Sequence, residues 1–399
     1  MIDERRKNEL IGLCRELIQR KSLSGEEGEV AHLLAEAMRS LKYDQVEIDH
    51  YGNVIGRMVL GEGGPKILLE GHMDHVDVAD EKSWSHDPYG AEVSGGRIWG
   101  RATSDMKGAL AAMVFAADLL REEAKGLRGE LVVAGSVHEE CFEGVASESI
   151  AAITNPDYVV IGEASGLDLK RGQRGRAEIV METYGKSAHS SNPSMGLNAI
   201  KTMLPLLMNV EKEFIPHSHP VLGEGILEVT DIISSPYPGA SVIPDKCRVT
   251  FDRRLLPGET KEEVLAQIRR IIRGVAAFKP DLKAEVFVAE GTAKCYTGET
   301  IKAERFAPGW LFEESHPFVR KALAGLRSSG LAPRVSHYSF CTNGSYYAGK
   351  ARIPTVGFGP SREELAHVAD EYIEIDQLLS ACEGYAGIAR SVLSREADQ

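Results

Sequence analysis

Two histidines and two aspartates stand within the eight residues of GHMDHVDV (71–78), directly after the apolar run KILLE. At the end of a strand, residues two apart point to the same side, so His72 and Asp74 face one way while Met73 and His75 face the other. A histidine whose second ring nitrogen donates to a carboxylate recurs in metal sites. An isolated pair of this kind more often indicates a satisfied polar cluster, so only further ligands elsewhere in the chain favour a metal site.

Further clusters of ligand-forming residues occur along the chain. WGRATSDMKGAL places Asp105 before a helix, where an acid could equally be a cap. HEECFEG places Glu139 and Glu140 after the apolar run LVVAGSV, GEAS places Glu163 after YVVI, and AHVADEY contains His367. A metal ligand beside a general base explains adjacent carboxylates after an apolar strand, because a cation offsets their repulsion. Two histidines and three carboxylates, with one spare glutamate, meet the requirement of a two-zinc hydrolytic centre.

The first half of the chain alternates between strand-length apolar runs and helical periodicity, which indicates an α/β layer with a partly parallel sheet. Ligands collect at the carboxyl ends of strands in such sheets, and the clusters GHMDH, HEE and GEAS fall there. A helix is predicted from Lys107 to Glu123. Ser24 and Glu27 are predicted to form a capping box for an earlier helix.

Near Arg174 the sequence pattern changes to strands in which apolar and polar residues alternate. Segments such as RAEIVMETYG, ILEVTDI and CRVTFDRRL predict a smaller α+β unit. We therefore predict a catalytic domain formed by residues 1–174 and 293–399, with an inserted domain at 175–292.

Composition narrows the class of function. The chain has 399 residues and a formal net charge of −13, which argues against nucleic-acid partners and anionic membrane surfaces. No stretch approaches the roughly 20 apolar residues that span a bilayer, and the N-terminus lacks the apolar core of a signal peptide. The six cysteines show no CxxC spacing and are expected to be reduced thiols. These features predict a cytoplasmic protein.

In their order, GHMDHVDV, GRATSDMKGAL, HEE, GEAS and AHVADEY resemble the dinuclear-zinc aminoacylase and carboxypeptidase family, which includes acetylornithine deacetylase, succinyl-diaminopimelate desuccinylase and glutamate carboxypeptidase. The resemblance runs over nearly the whole chain. It implies an α/β, zinc-peptidase-like catalytic domain with a mixed sheet flanked by helices, plus an inserted α+β lid and dimerisation domain. The middle segment and GRATSDMKGAL also resemble a bacterial subgroup described as selenium-metabolism-linked hydrolases, a label that names no reaction.

The resemblance implies a ligand set for two divalent metal ions, which are zinc in the family, with cobalt or manganese as alternatives. His72, Asp105 and Glu163 would hold one ion. Asp105, Glu140 and His367 would hold the other, so that Asp105 bridges the pair.

The remaining roles also follow from the resemblance. Asp74 would orient His72. Glu139 would be the general base: it would take a proton from the water that bridges the two ions and pass it to the leaving nitrogen. In the lid, His189 of GKSAHSS would stabilise the oxyanion in the partner subunit's site. Arg254 of FDRRLLPGE would clamp a substrate carboxylate.

Asn343 and Gly344 of CTNGSYY would line the substrate cleft. The chain departs from the family pattern at His75, which strand parity turns away from the metals, and at Ser241, where an Asn is common. These departures bear on substrate specificity, because no predicted ligand is lost.

The sequence therefore predicts a metal-dependent hydrolase that cleaves the amide bond of a small N-acyl amino acid or short peptide with a free carboxylate, acting as a homodimer through the lid. Two alternatives stay open. One is a dipeptidase or carboxypeptidase of the same chemistry, because the ligands are shared. The other is a non-catalytic, metal-containing protein that binds amino-acid derivatives, against which the intact pair Glu139 and Glu140 counts.

Overall fold

The computed structural model describes residues 2–122 and 126–394. In these ranges the chain forms eight α-helices: α1 (Glu4–Ile18), α2 (Gly28–Ser40), α3 (Gly108–Arg121), α4 (Ser147–Thr154), α5 (Ala199–Glu213), α6 (Lys261–Ala276), α7 (Pro317–Ser328) and α8 (Ile375–Leu393). The helix predicted from Lys107 to Glu123 is α3, and Glu123 itself lies outside the described residues.

The same ranges contain twenty-one strands, some of only two residues: β1 (Gln45–Ile48), β2 (Val54–Gly61), β3 (Lys66–His72), β4 (Glu92–Ser94), β5 (Arg97–Trp99), β6 (Gly129–Ser136), β7 (Tyr158–Ile161), β8 (Leu169–Gln173), β9 (Gly175–Tyr184), β10 (Ser218–His219), β11 (Gly223–Glu224), β12 (Ile226–Ser235), β13 (Lys246–Leu255), β14 (Lys283–Val288), β15 (Glu290–Lys294), β16 (Thr300–Glu304), β17 (Phe306–Ala307), β18 (Trp310–Leu311), β19 (Val335–Tyr338), β20 (Thr355–Gly357) and β21 (Tyr372–Glu374).

The chain divides into two compact units. The first comprises the described parts of Met1–Gln173, Thr292–Lys302 and Leu311–Gln399, and the second comprises Arg174–Gly291 and Ala303–Trp310. The main divisions lie within one residue of the boundaries predicted from sequence. The return of the chain to the second unit was not predicted, and it follows from the pairing of β17 with β9.

A mixed nine-stranded sheet forms the centre of the first unit. Its order is β1-β2-β6-β3-β7-β20-β8-β18, with β19 also paired to β8. Strand β3 runs parallel to β6 and β7, whereas β1 and β2 are antiparallel to each other and β2 is antiparallel to β6. Helices α3 and α8 pack against each other and against strands of this sheet. The predicted α/β class with a mixed sheet and flanking helices is confirmed.

Parallel pairing determines where the polar clusters meet. His72 at the end of β3 is paired with Ser136 at the end of β6, and Glu70 is paired with Ile161 at the end of β7. The segments that follow these three strands therefore leave the sheet at one edge. Gly162 follows β7 directly, and a Cβ there would collide with the side chain of Met113.

An antiparallel sheet of order β12-β13-β9-β14 forms the second unit, with β17 also paired to β9. Helices α5 and α6 pack on this sheet and bury an apolar core. Helix α6 begins after Thr260, which forms a capping box with Glu263 and so satisfies backbone N–H groups at the helix start. Arg253 on β13 is buried and donates from Nη2 to Glu259 Oε1 at 2.6 Å.

Within residues 2–122 and 126–394, no helix combines the length and the apolar character that a membrane span requires. The six cysteines lie within the described residues, and no disulfide joins them there. The cytoplasmic location stays a prediction.

Replacing Arg253 with methionine is expected to lower the free energy of unfolding of the second unit by about 3–5 kcal/mol, because Glu259 then stays buried without its partner. Urea denaturation followed by circular dichroism measures the change. The matched control is Arg269→Met at an exposed position of α6, which should stay within about 0.5 kcal/mol of the parent. Equal effects of the two substitutions would contradict a stabilising role for the buried pair.

Candidate metal centre

Strand ends and loops of the first unit carry the candidate ligands. His72 is the last residue of β3, Glu140 follows β6, and Glu163 follows β7. Asp105 lies in the irregular turn Thr103–Lys107 just before α3. His367 lies in the loop before β21, where its backbone adopts a positive φ of 63°.

Asp105 is the centre of this cluster, because each of its oxygens faces a different histidine. Its Oδ1 lies 2.9 Å from His72 Nε2, and its Oδ2 lies 3.1 Å from His367 Nε2. The same nitrogen of His72 is 3.5 Å from Glu163 Oε1, and that of His367 is 3.2 Å from Glu140 Oε1. The structure thus brings together all five predicted ligands, with Asp105 between the two halves.

Burial and crowding shift the ionisation of these groups strongly. Burial, followed by the charge of Asp105, raises the pKa of Glu163 to about 7. Burial also raises the pKa of Glu139 well above its usual range. Burial acts to raise the pKa of Asp105 as well, but hydrogen bonds from His367 and His72 hold it below its usual range. Hydrogen bonds to Asp105 and Glu140 raise the pKa of His367 to about 10. Positive charge near these groups therefore stabilises the ionised form of the buried carboxylates.

Two sets of donor atoms are grouped closely enough to share a cation. One set comprises His72, Asp105 and Glu140, the other comprises His72, Glu139 and Glu163, and the donor atoms within each set lie within 4.8 Å of one another. Glu139 Oε1 is also buried with no hydrogen-bond partner among the described residues. Imidazole and carboxylate donors with an unpaired buried oxygen between them fit a pair of divalent cations.

Asp74 contacts His72 differently from the prediction. The Nδ1 atom of His72 lies 2.9 Å from the backbone oxygen of Asp74, while the nearest carboxylate oxygen is 3.6 Å away. The carboxylate instead accepts hydrogen bonds from the backbone N–H groups of Glu139 (3.0 Å) and Glu140 (3.2 Å). Asp74 therefore orients the ring through its carbonyl and fixes the turn of the two glutamates through its side chain.

The capping box predicted for Ser24 and Glu27 is wrong. Helix α2 starts at Gly28, and its N-terminus has no side-chain cap. Ser24 Oγ donates to Asp74 Oδ2 at 2.7 Å, and Glu27 Oε1 accepts from the backbone N–H of His138 at 3.1 Å. Through these buried partners, both side chains hold the turn at the end of β6. The partners are distant in sequence, and local spacing does not reveal contacts of this type.

His75 is not a competing ligand in this structure. Its Nε2 accepts from the backbone N–H of Ser22 at 3.1 Å, and its Nδ1 lies 2.8 Å from the oxygen of Val76. Both ring nitrogens are thus occupied by the backbone. Burial lowers the pKa of His75 to about 4, which keeps the ring neutral.

The side chain of Asn343 makes hydrogen bonds within the first unit, and its substrate-binding role stays a prediction. It is buried, its Nδ2 donates to Glu70 Oε1 at 2.7 Å and to Ser136 Oγ at 3.0 Å, and its Oδ1 accepts from the N–H of Gly144 at 2.6 Å. Gly344 is also buried, and its N–H donates to the hydroxyl of Thr342. The amide of Asn343 therefore joins the loop at Gly144 to the strands that carry Glu70 and Ser136.

His189 and Arg254 belong to the second unit. His189 is exposed, and its Nδ1 accepts from Ser191 Oγ at 2.7 Å, which leaves Nε2 without a partner among the described residues. Arg254 is partly exposed and donates from Nε to Asp252 Oδ1 at 2.7 Å. Arg174, which the sequence reasoning did not single out, lies close enough for the charge of Arg254 to help burial lower its pKa. The catalytic roles of His189 and Arg254 stay predictions.

Comparison with known proteins gives a consistent result. The family model described as "Peptidase family M20/M25/M40" matches residues 68–391. The chain is 35% identical over 390 residues to "Uncharacterized protein YgeY" of Escherichia coli strain K12, covering 96% of this chain and 94% of that protein. It is 30% identical over 346 residues to acetylornithine deacetylase of Vibrio vulnificus, covering 83% and 82%.

Two solved structures show the same fold. The Bacillus subtilis YXEP protein, described as a dinuclear metal binding peptidase from the M20 family, aligns with a TM-score of 0.74 at 16% identity, covering 98% of this chain and 99% of that one. Aminopeptidase PepT from Bacillus cereus aligns with a TM-score of 0.73 at 20% identity, covering 97% and 98%.

Replacing Asp105 with asparagine is expected to reduce the bound divalent cations from two per chain to one or none, because the neutral amide cannot offer an anionic oxygen to each of two cations. Elemental analysis after loading and dialysis measures the content. Asp157→Asn is the control, since this exposed aspartate lies before β7 and accepts only from the N–H of Lys66 in the described contacts. Two cations retained by Asp105→Asn would contradict the bridging position.

Proposed function

Because the chain belongs to peptidase family M20/M25/M40, and is thus a metal-dependent hydrolytic enzyme, we propose that it cleaves the amide bond of a small N-acyl amino acid or short peptide with a free carboxylate. The observation that carries this proposal is Glu139, a buried glutamate with an unpaired oxygen, packed among five clustered ligands. Glu139 lies near enough to His72 and Glu163 to share a cation, but we assign it outside the two ligand sets, which leaves its oxygen available for proton transfer.

His72, Asp105 and Glu163 would hold one cation, and Asp105, Glu140 and His367 the other, with zinc favoured by the imidazole and carboxylate donors. Bound there, the cations would supply Lewis acidity that polarises the substrate carbonyl and makes a water acidic near neutral pH.

Glu139 performs the proton transfer in this proposal. The backbone of Glu139 is held in the turn, since Asp74 accepts its N–H. Oε1 takes a proton from the attacking water and then delivers it to the leaving nitrogen, so that the amine departs neutral. Burial excludes bulk water from this oxygen and so keeps the proton available for the leaving group.

Two groups of the second unit complete the proposal. His189, which is exposed, would donate from Nε2 to the oxyanion that develops in the partner subunit's site. Arg254 binds the free carboxylate of the substrate with its Nη groups, since its Nε is already committed to Asp252.

Incubation of the protein with a panel of N-acyl amino acids and dipeptides, with Zn²⁺ or Co²⁺ and with or without a chelator, tests the function. Glu139→Gln should retain both cations and lose turnover by about 10²–10⁴-fold, because the amide cannot accept the water's proton. Release of free amine measures the rate.

Glu130→Gln serves as the control, since Glu130 lies at the opposite end of β6 and pairs with Arg57. This variant should turn over at the parent rate. No chelator-sensitive release across the panel would favour the metal-containing binding protein instead, and parental turnover by Glu139→Gln would show that another group is the base.

We further infer that the protein is a homodimer through its second unit. Strand β12 is the edge of the antiparallel sheet, and the only strand it pairs with in the described chain is β13. Apolar side chains of this edge are 40–51% exposed: Ile226, Val229, Ile232 and Ile233. A groove of about 400 Å³ between α5 and β12 extends the apolar surface. An uncovered apolar edge strand promotes association, and a second copy covers it symmetrically.

Ile232→Lys is expected to convert the dimer to a monomer, because it places a charge in the covered edge. Analytical ultracentrifugation at micromolar concentration measures the mass. Phe278→Lys is the control, since Phe278 is 89% exposed in the same unit but outside β12, and this variant should remain dimeric. A monomeric parent protein would contradict the inference.

A further inference from the structure

A buried carboxylate in the AHVADEY segment organises the loop that carries Asp105. Glu371 is fully buried. Its Oε1 accepts hydrogen bonds from the backbone N–H groups of Ser104 (2.7 Å) and Asp105 (3.1 Å). Its Oε2 accepts from Arg101 Nη1 (2.7 Å) and from the N–H of Ala102 (3.1 Å). One side chain therefore receives four hydrogen bonds of 3.1 Å or less from a single loop, and Thr103 Oγ1 lies 3.5 Å from Oε1 as well.

The backbones of the two segments are joined as well. The N–H of Gly100 donates to the oxygen of Glu371 at 2.8 Å, and Ser104 Oγ donates to the oxygen of Tyr372 at 2.8 Å. Loop 100–105 thus wraps around the carboxylate in a conformation that includes Ala102 at a φ of 69°. These N–H groups belong to an irregular turn with no regular helix or strand pairing, so the carboxylate supplies acceptors that the fold otherwise lacks.

This arrangement links two metal ligands through one residue. Glu371 lies four residues after His367 in the chain, and it holds the backbone N–H of Asp105. Asp105 in turn directs Oδ2 towards His367 Nε2 at 3.1 Å. A closed path therefore runs from one ligand to the other through the backbone and the Glu371 side chain. Groups that orient metal ligands in this way change metal affinity when they are replaced.

We propose that Glu371 is a positioning residue that sets the separation of Asp105 and His367 and thereby the affinity for the cation that these two ligands share with Glu140. The inference rests on the metal centre of the proposed function. It adds to that function a residue that touches neither substrate nor cation and acts through the loop 100–105. Arg101 belongs to the same arrangement, because its guanidinium pairs with Oε2 of Glu371.

Glu371→Gln tests the proposal, because its amide NH₂ would face backbone N–H donors. Metal-free protein is titrated with Co²⁺, and the absorption of the bound ion reports each site. The parent should bind two ions, and the variant should bind the second about 10–100-fold more weakly. Glu371→Asp keeps the charge but is one methylene shorter, so its affinity should fall between the two. If Glu371→Gln does not fold, Glu371→Asp provides the comparison.

Glu259→Gln is the matched control for lost stability. Glu259 is also a buried carboxylate that accepts from an arginine, Arg253 (2.6 Å), and from a backbone N–H, that of Leu256 (2.7 Å), but it lies in the second unit. This variant should melt at a lower temperature and titrate with Co²⁺ like the parent.

Three results would overturn a claim. A Glu371 variant that binds both ions within twofold of the parent overturns the positioning role alone. Equal loss of affinity in Glu259→Gln also overturns it, because instability would then explain the effect. A parent protein that binds fewer than two ions overturns the metal centre of the proposed function, and the positioning role with it.

Discussion

The accumulation of negative charge in a buried space is the constraint on which this structure depends. Asp105, Glu139, Glu140 and Glu163 converge where three parallel strands end, and two histidines are the only cationic side chains in direct contact with them among the described residues. Carboxylates removed from water cannot all remain ionised without a compensating charge. The raised pKa values of Glu163 and Glu139 express this conflict, and the proposed pair of divalent cations would resolve it.

Two further carboxylates keep the cluster in shape without taking part in it. Asp74 accepts the N–H groups of the paired glutamates, and Glu371 accepts those of the loop before α3. In both cases a buried acid replaces the hydrogen bonds that regular secondary structure would give to a turn. The turns can therefore be irregular, as chemistry at strand ends requires, and still be rigid.

The sequence was sufficient to place the ligands because their residue types and their positions after apolar strands are local properties. His72 ends a strand, and Glu140 and Glu163 follow strands. The periodicity of each of these strands can be recognised in a short stretch of sequence. The supporting contacts could not be predicted in this way. The spacing of Ser24 and Glu27 suggested a helix cap that the chain does not form. Their actual partners are Asp74, 50 residues away from Ser24, and His138, 111 residues away from Glu27.

The same reasoning explains the remaining differences. Asn343 stands in a loop with the composition of a binding segment, but its amide is occupied by Glu70 and Ser136, which lie more than 200 residues away in the chain. The pairing of β17 with β9 likewise depends on a contact across more than 100 residues. Long-range partners of this kind are decided by packing of the whole unit, about which a short stretch of sequence carries no information.

The division of the chain has an evolutionary consequence. All five metal ligands and Glu139 come from the first unit, while the second unit is formed by one long insertion and one short return, Arg174–Gly291 and Ala303–Trp310. Under the proposed function, mutations that remodel the insertion alter substrate choice or self-association and leave the candidate metal ligands unchanged. Substrate preference can therefore change faster during evolution than the residues that carry out the hydrolysis.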